Sequence, residues 1–272
     1  MTTVKEELGW LPTSVWHITK CGDIDWNKFI DDKGDPIGKV KHPDGWYKHQ
    51  KAYPYSSFNP LLAERIYRYW SEAGEHVLDP FAGRTTRGLV AIGMGRNYEG
   101  YEIAAQTYQD TIDKLDKFTK EWQPELLQHT QGQYKIHNDD GTELKHTADN
   151  SADCIVTCPP YWKLEVYEEA IGQLSRINSY QSFLYHIRNA AVNCQRCLKP
   201  GRYCVWVVGD FRLDNKLYSF HNDCINEFKY SGLQLWDIVI NQLNSPMTMA
   251  AAQARRMMHT LKIHEYILVF KK

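Results

Sequence analysis

No stretch of this 272-residue chain approaches the roughly 18 consecutive apolar residues of a membrane span. The opening "MTTVKEELGW" lacks the build of a secretory signal. A soluble, cytoplasmic protein is therefore expected. Cysteine is too scattered for a disulfide framework: there are seven, an odd number, mostly in apolar segments. The only C-x-x-C pair, Cys194 and Cys197, sits in a helical pattern with no second such pair, so no metal is expected. Excess charge is missing too. A formal net charge of −1 argues against a chain that coats nucleic acid without selectivity, while leaving room for a local basic groove. Repeats and low-complexity tracts are absent. So is the G-x-G-x-x-G fingerprint that would seat a pyrophosphate.

Aromatics, by contrast, are plentiful: nine Trp, seventeen Tyr and nine Phe, most of which a core of this size should absorb. Residues 1–56 interleave Trp10, Trp16, Trp26, Trp46 and Tyr47 with turn-rich segments such as "DDKGDP" and show no helical period. They are read as an N-terminal extension or small recognition element, and residues 57–272 as the catalytic domain. From Ser57 the pattern becomes regular. "SFNPLLAERIYRYWSEAG" starts on a helix-entry signal and ends at Gly74. Strands are predicted at 76–81, 97–103, 134–138, 153–158, 202–210, 233–240 and 265–271. Helices are predicted at 84–94, 104–122, 178–198 and 215–230. Such alternation gives an α/β fold: a doubly wound, mostly parallel seven-stranded sheet with helices on both faces. Ligands bind such sheets at the carboxyl ends of the strands.

Two strand ends are unusual. "VLDPFAGRTTRG" (77–88) runs from strand through a tight turn into a helix. Gly83 allows a close backbone approach, and the free N–H groups beyond it suit an anion. Asp79 offers an acid to an ammonium group. Glu102 ends the next strand about twenty residues on, the spacing that suits the two hydroxyls of a ribose. Asp139 and Asp140 follow the third strand, where a carboxylate can meet an adenine amine. Ammonium, carboxylate, ribose and adenine together describe S-adenosylmethionine better than NAD. The other strand end, "CIVTCPPYW" (154–162), drives an apolar run into two prolines that stop sheet pairing. It delivers Cys158, a rigid carbonyl and the rings of Tyr161 and Trp162 to one point.

These segments resemble the DNA amino-methyltransferases, which methylate N4 of cytosine or N6 of adenine. "FNPLLAERI" is similar to that family's cofactor-proximal helix, "VLDPFAG" to its glycine motif and "TCPPYW" to its Ser/Asp/Asn-Pro-Pro-Tyr/Phe motif. The resemblance spans about residues 57–272 and implies a Rossmann-like methyltransferase fold. It implies that Phe58, Asn59, Pro60, Asp79, Phe81, Ala82 and Gly83 line the methionine end of S-adenosylmethionine. Glu102 would bind ribose, and Asp139 and Asp140 would face adenine. Cys158, Pro159, Pro160 and Tyr161 would hold a base flipped from double-stranded DNA. Trp162 is either a wall of that pocket or a core ring. The chain departs from the family twice. "AGRTTRG" replaces the frequent "AGSGTT", losing the second glycine, so hydroxyls of Thr85 and Thr86 would replace backbone contacts. Arg84 is either a carboxylate or DNA partner or a solvated residue. Cys158 stands where Ser, Asp or Asn is usual; being neutral and small like serine, it favours N4-cytosine.

Between the two motifs there is no room for a large recognition domain, and after "TCPPYW" only short spans remain. Candidate DNA contacts are the N-terminal segment, the loop 163–176, and 244–262 with Arg255 and Arg256. A homodimer or specificity partner would add surface. A bacterial or phage-encoded restriction-modification setting is the family expectation. Competing readings are methylation of RNA or of a protein amide, and a cofactor-binding regulator with a weakened site.

Overall fold

The computed structural model describes residues 12–18, 26, 58–121, 130–164, 170–243 and 255–272. Its main sheet has strands β1 (Val15–His17), β2 (His76–Asp79), β3 (Asn97–Tyr101), β4 (Tyr134–His137), β5 (Ala152–Thr157), β6 (Leu198–Val208), β9 (Gln234–Gln242) and β10 (His264–Lys271). A separate hairpin pairs β7 (Phe211–Leu213) with β8 (Lys216–Tyr218). Helices are α1 (Pro60–Trp70), α2 (Thr86–Gly93), α3 (Ala105–Glu121), α4 (Tyr180–Cys197) and α5 (Phe220–Phe228). The strand order is β1-β9-β10-β6-β5-β2-β3-β4. Within the main sheet the pairings are parallel except those of β10, which runs antiparallel to both β6 and β9.

The seven expected strands are present, and an eighth, β1, comes from the N-terminal segment set apart in the sequence. Trp16 at its centre is buried against Tyr69 and Trp70 of α1. Trp26 is buried as well, its indole N–H donating to Glu64 Oε2 at 2.7 Å. Trp10, Trp46 and Tyr47 lie outside the described residues. α1 starts where Asn59 Oδ1 accepts from the Leu61 N–H and Pro60 occupies the first turn. Its apolar stripe, Leu62, Ile66, Tyr67 and Trp70, is buried on the sheet. Each such side chain contributes roughly 1.5–3 kcal/mol by leaving water. The sheet has a core on each face: α1, α2 and α3 cover one, α4 and α5 the other.

The helix expected over 215–230 is shorter, because residues 211–218 form the β7–β8 hairpin. Asp214 and Asn215 at its tip take φ of 50° and 63°. Two consecutive positive-φ residues are what a two-residue hairpin demands, and Asp and Asn tolerate that conformation. Phe211 and Tyr218 stack across the hairpin at 5.0 Å.

From β2 the chain winds outward through β3 and β4, whereas β5 lies on the other side of β2 and leads to β6. The winding therefore reverses between β2 and β5, where an open sheet of this kind leaves its crevice. The carboxyl ends of these two strands carry the two unusual motifs. They are also bonded to each other: the Thr157 hydroxyl donates to Asp79 Oδ1 at 2.6 Å.

Candidate active site

The turn after β2 is built around a buried ion pair. Asp79 has no exposed surface. Its Oδ2 accepts from Arg87 Nε at 2.7 Å and from the Tyr98 hydroxyl at 2.8 Å. Its Oδ1 accepts from Thr157 and, at 3.1 Å, from the Phe81 N–H. Asp79 was expected to meet an ammonium group; instead both of its oxygens are engaged by partners within the fold. Arg87 also donates to the carbonyls of Phe81 at 2.5 Å and Ala82 at 3.4 Å, and its guanidinium lies 4.9 Å over the Phe58 ring. Burial alone would lower its pKa, but the Asp79 charge outweighs that and raises it. Arg87 thus acts as a tie that sets the shape of the turn. In the sequence it reads as one more helix arginine, eight residues from its partner. Asn59, meanwhile, spends its side-chain oxygen on capping α1, so of "FNP" the Phe58 ring lies nearest the turn.

Past the tie, Gly83 takes φ 54° and its carbonyl accepts from the Thr111 hydroxyl of α3. Arg84 is half-buried. Thr85 then adopts φ 84°, a left-handed conformation that is rare for a β-branched residue. It stands where the related motif has its second glycine, so the backbone path survives while the residue that suits it does not. The Thr85 side chain is 1% exposed, and its hydroxyl has no partner among the described residues. Thr86 follows as the first residue of α2 and is also buried.

The acids expected to reach ribose and adenine gather beside this turn. The Ala82 N–H donates to the Tyr101 carbonyl at 2.9 Å, which brings the turn against the end of β3 and Glu102. Glu102 Oε1 accepts from the Ala104 N–H at the start of α3. After β4, Asp139 bonds the Asp140 N–H and His146 Nε2. The backbone N–H and the imidazole together hold its carboxyl below the usual range. Asp140 Oδ1 closes a local turn with the Thr142 N–H. The next residue, Gly141, packs so closely that a Cβ there would fall 1.7 Å from the Pro80 carbonyl oxygen. That contact delivers the Asp139–Asp140 loop to the glycine turn, and no sequence motif announced it.

At the end of β5, Cys158 is partly buried, Pro159 is buried and Pro160 half-buried. Cys158 lies close enough to Arg87 to influence its charge. Tyr161 is half-buried. Its hydroxyl accepts from the Gly209 N–H just past β6 at 2.7 Å, and its ring meets Phe211 and Phe220 at 5.8 Å each. Trp162 is a buried ring: it is 8% exposed, packs on Tyr180 and Tyr218, and donates its N–H to the Ile177 carbonyl. Arg255 and Arg256 are exposed on the connection into β10, at the same end of the sheet. The rest of the 244–262 segment before them, and residues 165–169 of the loop after Trp162, lie outside the described residues. Beyond β6, Asp210 binds His221 of α5, a pair that sequence reading missed.

Among the described residues no group of three or more His, Cys, Asp or Glu is placed to hold a metal ion, and no helix is long and apolar enough to cross a membrane. The cleft does suit S-adenosylmethionine. The buried, unpartnered Thr85 hydroxyl on the turn calls for a hydrogen-bonding ligand, and three carboxylates stand beside it. Fold comparison agrees in architecture. TrmN from Thermus thermophilus superposes with a TM-score of 0.52 at 14% identity, over 81% of this chain and 51% of that one. In sequence, the DNA adenine methyltransferase YhdJ of Escherichia coli K12 is 44% identical over 55 residues, which is 20% of this chain. The match spans only 19% of that enzyme's length. The DNA methylase family, whose members take their methyl group from S-adenosylmethionine, matches residues 4–114 and 152–272. With both halves of the cleft inside that match, the chain belongs to the N6/N4 DNA methylase family.

Proposed function

We propose that this protein methylates an exocyclic amine of a base flipped out of double-stranded DNA, with N4 of cytosine as the target. The observation that supports this reading is the hydrogen bond between the two strand ends, Thr157 to Asp79, which holds the glycine turn and the double-proline corner side by side. When bound, S-adenosylmethionine supplies an electrophilic methyl group. Gly83, Thr85, Thr86, Glu102, Asp139 and Asp140 would hold it, with Phe58, Phe81 and Ala82 around the methionine end.

The chain's own task is to orient the amine. Its lone pair is delocalised into the base ring, so acceptors aimed at the N–H bonds favour a pyramidal nitrogen with the pair freed for attack. The Pro159 carbonyl, stiffened by two prolines, and the Cys158 sulfur are those acceptors; the thiol is the weaker. Rigid placement of this kind supports a near-attack geometry. Tyr161, fixed by its bond to Gly209, offers a stacking surface worth about 1–3 kcal/mol, comparable to the few kcal/mol that flipping costs. Arg255 and Arg256 would contact phosphates, and a second copy or a specificity partner would extend the DNA surface.

The neutral Cys158 favours cytosine. The similarity to a DNA adenine methyltransferase favours N6 of adenine as a second reading. Methyl-labelled S-adenosylmethionine, incubated separately with duplex DNA, RNA and protein and followed by nucleoside mass spectrometry, tests both. N4-methylcytosine in DNA is the expected product. N6-methyladenine would select the second reading, and label found only in RNA or protein would overturn the DNA assignment.

A further inference from the structure

Cys158 leaves the amine short of a strong acceptor, and the same rim of the sheet carries an imidazole nitrogen that no other described residue bonds. Asp210 follows Gly209 directly after β6, and its side chain is 6% exposed. Its Oδ1 lies 2.7 Å from His221 Nδ1 and also takes the His221 backbone N–H at 3.4 Å. An ionised carboxylate can only accept, so Nδ1 carries the hydrogen and Nε2 of the neutral ring is an acceptor. No described residue bonds Nε2. The ring is held flat on Tyr266 of β10, with centroids 3.9 Å apart, and its side chain is 22% exposed.

The pair is anchored to the catalytic corner at two points. Gly209, the neighbour of Asp210, donates to the Tyr161 hydroxyl, and Phe220, the neighbour of His221, packs on the Tyr161 ring. Buried Cys224, one turn along α5, lies within electrostatic reach of both Asp210 and Cys158. An aspartate that fixes the tautomer and aim of a histidine, with the other nitrogen left open, is the arrangement of a base oriented by a third group.

We propose that His221 is a catalytic residue that receives the proton the target amine gives up, with Asp210 as its positioning residue. This rests on the methyl-transfer reading above. As the amine lone pair bonds the methyl carbon, the methyl–sulfur bond breaks with its electron pair leaving on sulfur, and one N–H bond breaks with its pair staying on nitrogen. The proton passes to Nε2, and Asp210 stabilises the resulting imidazolium. Before transfer, the same nitrogen accepts the N–H bond and supplies the pull that Cys158 supplies weakly.

Among the described residues, few groups face His221. Asp210 and the Ser219 hydroxyl, at 3.5 Å, face Nδ1, and Tyr266 covers one ring face. His264 bonds the Tyr266 hydroxyl from behind. On α5 itself, Asp223 is engaged with Tyr180, and Cys224 is buried.

The test is single-turnover methylation of duplex DNA against pH, with wild type, His221→Gln and Asp210→Asn, alongside 15N NMR of the histidine rings and calorimetric binding of S-adenosylmethionine. His221→Gln should lose about a hundredfold in rate at neutral pH and lose the acid limb of the profile, with cofactor affinity unchanged. Asp210→Asn should move that limb to lower pH. In the wild type the ring should show the Nδ1–H tautomer. A glutamine variant that binds cofactor and keeps wild-type rate and limb overturns the proton assignment while leaving DNA methylation intact. If that variant fails to bind cofactor, Asp210→Asn decides: an unmoved limb overturns the assignment. A wild type that methylates no DNA overturns the proposed function and this step with it.

Discussion

Thr85 is the position where this chain breaks its own pattern, and replacing it with glycine gives a sharp prediction. A non-glycine residue in the left-handed region costs about 1–2 kcal/mol. A buried hydroxyl without a partner costs about 1–3 kcal/mol more. Thr85 bears both penalties, at φ 84° and 1% exposure. Thr85→Gly removes them. Against this, glycine gains unfolded-state freedom worth roughly 0.5–1 kcal/mol, and the lost methyl forfeits about 0.8 kcal/mol of burial. The ligand-free variant should come out more stable by about 2 kcal/mol, raising Tm by ~4 °C for a chain of this size. Cofactor binding should move the opposite way. If S-adenosylmethionine is the missing partner of the Thr85 hydroxyl, losing that bond should weaken affinity about fivefold. Thr85→Ser, which keeps the hydroxyl, should bind like the wild type. Thermal melts with and without cofactor, plus titration calorimetry, read both effects. A Thr85→Gly protein that melts lower without ligand and binds as tightly as wild type would refute the reasoning.

Two further tests address the frame of the site. Gly141→Ala would push a Cβ to 1.7 Å from the Pro80 carbonyl oxygen, so backbone must move. A loss of about 1–3 kcal/mol in stability and about tenfold in cofactor affinity is expected by melting and calorimetry, whereas wild-type binding would show that the Asp139–Asp140 loop is not positioned by this contact. Glu99 of β3 bridges His76 Nε2 at 3.0 Å and His137 Nε2 at 2.7 Å. Burial would raise its pKa, but the two imidazoles outweigh this and bring it to about 2. A depressed acid stabilises the fold above its unfolded pKa, about 4.3, and that stability is lost as pH falls toward 2. His76 is raised, its hydrogen bonds to Glu99 and the Ser151 carbonyl outweighing burial, so its share is present at low pH and lost as pH rises through its folded value. Denaturation of Glu99→Gln against pH should therefore show the largest deficit between these limits; a deficit independent of pH would contradict the pairing.

The alternation of apolar runs with helical periods made the doubly wound sheet legible, because parallel strands buried on both faces carry continuous apolar runs, as Cys154–Val156 do in the fully buried β5. The strand-end motifs were legible for a related reason: glycine and proline act on the backbone locally, so their spacing announces a turn and a stop. Contacts between distant segments left no such mark. Arg87 looks like a helix-surface residue until the fold buries it against Asp79, and the acid predicted to face a ligand is used up by that pairing. Gly141 is one glycine among seventeen until Pro80 packs against it. β1 is three residues long and gains its identity from the β9 edge rather than from its own pattern. The Asp214-Asn215 turn was readable, and the helical period after it drew the predicted helix start too early.

The central claim is that the glycine turn and the double-proline corner act on one pair of reactants. A crystal structure of the protein with S-adenosylhomocysteine and a duplex containing its target site measures this directly. The account predicts a base rotated out of the helix against Tyr161, its exocyclic nitrogen facing the cofactor sulfur across a gap that fits one methyl group, with Gly83 and Pro159 on either side. A cofactor seated away from Gly83, or a duplex bound elsewhere with every base stacked, would contradict it.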